Sequence, residues 1–134
     1  VSADSLYLAG KAVAQKVRYY MDIRDTKVKL INGGARGLQH FTEWVGCDVA
    51  NTINWIGTAD KLLENDGPVV PCFNNPVPLD VIDELCNKIP DFEKGYFTGR
   101  LKPEEYHDYG PVELFCSSFR RDWKATLEII KNAR

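Results

Sequence analysis

The stretch from residue 28 to residue 63, VKLINGGARGLQHFTEWVGCDVANTINWIGTADKLL, constrains this chain more than any other part of it. A strand-like run, VKLIN, meets a glycine-rich turn of Gly33, Gly34, Ala35, Arg36 and Gly37. A helical pattern follows, then a second strand-like run, DVANTIN, and a second helix start at Thr58. Strand, glycine loop, helix, strand, helix is the order found in parallel α/β proteins. Chemistry in such proteins sits on the loops that leave the carboxyl ends of the strands, so Arg36 is the first residue expected to hold a small anion.

The flanking sequence supplies helices. Over residues 4–24, Leu6, Ala9, Val13, Val17 and Tyr20 recur at three- and four-residue steps, opposite Lys11, Gln15, Arg18 and Asp22. That spacing predicts a helix with the first set inward, started by Ser2 or Asp4. Residues 37–45 predict a short helix with Leu38, Phe41 and Trp44 or Val45 inward, closed by Gly46. In the second strand Val49, Asn51 and Ile53 share one face, and Thr58 is placed to cap a helix reaching about residue 65. Residues 66–78, DGPVVPCFNNPVP, form a proline-rich connection. Pro78 then opens a helix whose stripe is Leu79, Ile82, Leu85, Cys86 and Ile89. Residues 90–110 are turn-rich, with an acidic helical turn at 103–106. A last helix over 112–132 carries Phe115, Phe119, Trp123, Leu127 and Ile130 on one side, as core or as a partner-facing surface. Two strands against five or six helices leave two open sheet edges, so the expected fold is α/β and only part of a larger parallel sheet.

Composition narrows the function classes. The formal net charge is -2 and the isoelectric point about 5.7, so no basic field exists to hold nucleic acid or an anionic membrane. No apolar run approaches the roughly 20 residues that span a bilayer, and the N-terminal residues lack the pattern of a secretory signal. Cys47, Cys72, Cys86 and Cys116 are irregularly spaced, without a CxxC pair. Reduced thiols and a cytoplasmic location are the expectation. His40 and His107 lie far apart and lack metal-ligand spacing, so neither a metal nor another cofactor is expected.

The glycine turn is the strongest candidate site. Glycines there let backbone N–H groups converge, and an arginine adds a permanently charged, bidentate clamp. The pattern GGARG is neither the P-loop nor the dinucleotide fingerprint, and glycine-rich loops also serve packing alone. Asn32 and Asn54, at the two strand ends, can hydrogen-bond a polyhydroxylated ligand or simply make local turns. Lys27 and Lys29, on one face of the first strand, read as Schiff-base candidates or as a solvated strand edge. His40 lies one helical turn beyond Arg36, and Glu43 and Asp48 are candidate acids without a base at matching spacing.

Laid out in this way, HFTEWVGCDV, NTINWIGTADKLL, FNNPVPLDVIDELCNKIPDF, EKGYF and EEYHDYGPVELFCSSF together resemble the C-terminal portion of a transaldolase, over nearly the whole chain. The resemblance implies a (β/α)₈ barrel enzyme that moves a dihydroxyacetone unit between sugar phosphates through a lysine Schiff base on the fourth strand. VKLIN would be the seventh strand and DVANTIN the eighth. Residues 1–134 would then be one segment, with strand–helix units over 1–65 and a helical extension over 66–134. Such a barrel needs about 250 residues, and the six strands that carry the Schiff-base lysine do not occur here; Lys27 and Lys29 do not match its position. Arg36 falls where the family places a phosphate-binding arginine, while Gly34 stands where a serine often precedes it. The expected partners are a sugar phosphate and either further copies of the chain or a missing N-terminal half. The residues by themselves also leave open a non-catalytic sugar-phosphate-binding or assembly module whose copies pair their open strand edges.

Overall fold

In a computed structural model describing residues 1–35 and 37–133, the first helix, α1 (Ala3–Ile23), begins where the sequence provides a cap. The Ser2 hydroxyl accepts from the Ser5 amide at 3.0 Å, satisfying one of the amides a helix start leaves open. The face that α1 buries is not the one its periodicity predicts. Leu6, Val13 and Val17 are exposed, whereas Ser5, Lys11, Ala12 and Ala14 are buried. The reason lies in the proline-rich connection, whose carbonyls need donors once the chain packs over them. Lys11 Nζ donates to the Cys72 carbonyl at 2.8 Å and to Glu43 Oε2 at 2.6 Å. Gln15 Nε2 donates to the carbonyls of Phe73 and Asn75. Small Ala14 lets the helix approach the stacked rings of Trp44 and Phe73, whose centroids are 5.5 Å apart.

Strand β1 (Leu30–Ala35) begins two residues later than expected and absorbs Gly33, Gly34 and Ala35 from the expected turn. Strand β2 (Val49–Ile53) lies parallel to it, pairing Leu30 with Val49, Ile31 with Ala50 and Asn32 with Asn51. The register then slips, and Ala35 pairs with Ile53, so three steps of β1 face two of β2: a bulge. Helix α2 (Gln39–Thr42) joins the strands and is extended by tighter turns to Val45. Gly46 closes it at φ 96°, as a left-handed helix end requires. Leu30, Cys47 and Val49 pack against the Ala14, Trp44 and Phe73 cluster. The result is a mixed α/β chain in which the described residues form one two-stranded parallel sheet, open at both edges.

Thr58 is buried rather than capping. Gly57, at φ 78°, turns the chain, and helix α3 (Asp60–Leu63) starts two residues beyond Thr58. Asp60 Oδ2 accepts from the Gly57 amide at 2.9 Å and its Oδ1 from the Lys61 amide at 2.8 Å, and these amides hold the Asp60 carboxyl below its usual range. Helix α4 (Leu79–Lys88) follows the proline-rich segment and packs on α1. Ile82 and Leu85 point inward as expected, but Leu79 is exposed.

The chain divides into two compact units, Val1–Lys88 and Ile89–Arg134. Lys11, Gln15 and Val45 bind the 72–75 segment into the first unit. The second unit contains a helix where turns were expected, α5 (Pro90–Tyr96), with proline in its first turn. A 3₁₀ turn at Pro103–Glu105 matches the expected acidic turn; the Lys102 amide donates to Glu105 Oε2 at 2.9 Å. Tyr109 Oη donates to the Asp91 carbonyl at 2.7 Å, tying this turn region to α5. Helix α6 (Gly110–Asn132) ends the unit and buries none of its residues. Among the described residues no helix is long and apolar enough to cross a membrane.

Candidate functional site

The carboxyl end of β1 is where a parallel sheet offers a ligand its loops. Two polar side chains meet across the two strands there, and a third holds the backbone of β1 from the opposite face. Asn32 Nδ2 donates to Asn51 Oδ1 at 2.8 Å, and both residues are half-buried on one face of the sheet. From the other face the Thr52 hydroxyl donates to the Asn32 carbonyl at 3.1 Å and accepts from the Gly34 amide at 2.7 Å. Gly34 sits at φ 62°, a conformation that side chains with a Cβ adopt at a cost. The bulge thus has a specific cause: a left-handed glycine supplies the extra residue, and a threonine one strand away plugs the gap.

This geometry bears on each expected site residue. Asn32 lies within β1 and not at its end, since the strand runs on to Ala35, and its amide shares one hydrogen bond out of the several such a group can make. Gly34 is in the strand bulge, not in a free loop. Its N–H is engaged by Thr52, so an anion seated on that amide would displace the hydroxyl. Arg36 lies outside the described residues. Asn54 follows β2, and its carbonyl accepts from the Ala59 amide at 3.2 Å. Asn51 and Thr52 complete the constellation, although in the sequence they read as ordinary strand residues. The signal that could have found them is the pair of asparagines placed alike in the two strands.

The other candidates separate from this cluster. Lys27 and Lys29 precede β1 instead of lying on it; both are exposed, bridged to Asp25 at 2.8 Å and Asp48 at 2.6 Å respectively. Lys29 holds the Asp48 carboxyl below its ordinary range. Glu43 serves Lys11, and His107 lies 3.0 Å from Asp108 in the second unit. His40 is half-buried on α2. All four cysteines are free thiols, and burial pushes the Cys47 thiol up. Among the described residues no three His, Cys, Asp or Glu side chains converge as a metal site would need.

No family model, no curated protein and no solved structure matches the chain.

A separate cleft of about 300 Å³ lies in the first unit, lined by Phe41, Val45, Leu62, Val69, Val70 and Cys72 among others. Among the described residues no charged side chain lines it, so that lining suits an apolar group and not a phosphate. The polar end of β1 offers hydrogen-bonding amides and a hydroxyl instead.

Proposed function

We propose that this chain supplies the last two strand–helix units of a transaldolase-like (β/α)₈ enzyme, with the loop that holds the phosphate of its sugar substrate. The observation that carries the reading is the parallel β1–α2–β2 unit whose first strand holds a bulged glycine two residues before Arg36. Asn32 and Asn51 would offer hydrogen bonds to sugar hydroxyls, and Arg36 a fixed positive charge to the phosphate. The open sheet edges support the same reading, since parallel strands are stable when flanked by further strands and covered on both faces. Ile31 is 65% exposed and Trp55 70%, an arrangement suited to covering by more of a barrel.

In the complete enzyme a lysine amine adds to the ketose carbonyl and loses water. The resulting iminium accepts the electron pair when the adjacent C–C bond breaks. Within this chain Lys27 and Lys29 are water-exposed and paired with carboxylates, not held in the enclosed pocket a Schiff-base lysine occupies. Arg36 orients the substrate, and orientation alone contributes several kcal/mol to such reactions. Titration calorimetry with fructose 6-phosphate tests the assignment. Arg36→Ala should weaken binding by about tenfold to a hundredfold, the loss of a charge-assisted pair. Equal affinity of the two proteins would reduce Arg36 to an ordinary loop residue.

The exposed apolar faces also favour a second reading, in which the chain binds sugar phosphates without catalysis and acts by assembling. Binding that depends on Arg36 but yields no turnover when the remaining barrel strands are supplied would select it.

A further inference from the structure

The second unit, taken by itself, holds a cavity of about 240 Å³ between α5 and the turn region that follows it. Its two walls are tied to each other. Tyr109 Oη donates to the Asp91 carbonyl at 2.7 Å and sits against α5 at Gly95, where a Cβ would collide with that hydroxyl. Glu105 caps the 3₁₀ turn through the Lys102 amide and so holds the second wall in shape. Half-buried Leu101 and Tyr109 give the lining its apolar part.

The charges around this cavity are sorted by wall. Lys94 and Arg100 line it from α5 and the chain that leaves it, whereas Glu104, Glu105 and Asp108 line it from the turn region. Although both signs line one cavity, no ion pair among the described residues crosses it. Lys94 stands 3.8 Å from Asp91 and Arg100 3.7 Å from Glu93; both carboxylates lie outside the lining and beyond hydrogen-bonding reach. Asp108 meets its neighbour His107 at 3.0 Å, and Glu104 joins no ion pair among the described residues.

We propose that this cavity binds a free α-amino acid, its carboxylate on Lys94 and Arg100 and its ammonium on Glu104 and Asp108. A ligand of one sign is attracted by one wall and repelled by the other, so a zwitterion gains from both. The carboxylate suits the two-point donor geometry of a guanidinium. The volume lies below the roughly 300–1,000 Å³ of sites that enclose drug-sized ligands, so the occupant is small. Leu101 and the Tyr109 ring suit an aliphatic side chain. Lys94 and Arg100 are 55% and 65% exposed, so binding is weak and weakens further as salt rises. The phosphate assignment rests on residues of the first unit, so either inference can fail without the other.

Titration of L-leucine into the full ¹⁵N-labelled chain tests the proposal, beside N-acetyl-L-leucine, which keeps only the carboxylate, and L-leucinamide, which keeps only the ammonium. The expected result is saturable shifts at the amides of Lys94, Leu101, Glu104 and Tyr109, with each derivative binding about fivefold more weakly. Arg100→Gln and Asp108→Asn should each weaken L-leucine by about the same factor, while the helical circular dichroism stays as in the parent. Absence of saturable shifts at those amides overturns the proposal. So does a derivative that binds as tightly as L-leucine, or a parent affinity retained in both variants.

Discussion

Glu84 concentrates more interactions than any other carboxylate of the first unit. It accepts from Lys88 at 2.8 Å, from the Ser5 hydroxyl and from the Ser2 amide at 3.2 Å, and the N-terminal ammonium stands 3.7 Å away. These partners, Lys88 foremost and then Ser5, lower its pKa to about 2 from an ordinary 4.5. A carboxylate depressed in the folded state binds its proton more readily when unfolded. Its stabilising contribution is therefore complete above about pH 4.5 and is lost as pH falls towards 2. Thermal melts between pH 6 and pH 2 should show this as a decline over that window, and Glu84→Gln should flatten that part of the profile; an unchanged profile in the variant would remove Glu84 from the account. Neither Glu84 nor Lys11 was legible as a structural anchor in the sequence. Each sits on a polar helix face that reads as solvated, and only tertiary packing supplies the carbonyls and ammonium groups that claim them.

At the scale of the element, local chemistry was readable where the signal is carried by the backbone itself. The Ser2 cap, the left-handed Gly46 and the proline start of α4 follow from residues whose roles depend on near neighbours. Facing directions were less readable. The α1 stripe predicts burial of Leu6, Val13 and Val17, yet the helix turns its small and hydrogen-bonding side towards the 72–75 segment. Periodicity tells which residues share a face but not which face meets a partner. The β1 bulge is hidden in the sequence for a related reason: Gly33 and Gly34 read as a turn, and the strand pairing that retains them depends on Thr52. Thr52→Val removes one donor and one acceptor from that bulge. It should lower stability by about 1 kcal/mol in denaturant melts and shift the amide resonance of Gly34, with Thr52→Ser close to the parent. A Val variant as stable as the parent would show that the glycine holds the bulge unaided.

For the molecule as a whole, the sequence announces a parallel α/β arrangement with too few strands, and the fold carries that arrangement with its sheet edges open. The two-unit division was not readable, because the proline-rich stretch looks like a linker while its carbonyls bind it to α1. The central claim is that the chain holds a sugar-phosphate site but no Schiff-base nucleophile. The most direct measurement titrates fructose 6-phosphate into ¹⁵N-labelled protein, then reduces an aliquot with borohydride for intact-mass analysis. The account predicts saturable shifts at the amides of Asn32, Gly34 and Arg36, and an unchanged protein mass. Absence of those shifts, or a reduced sugar adduct on any lysine of this chain, would contradict it.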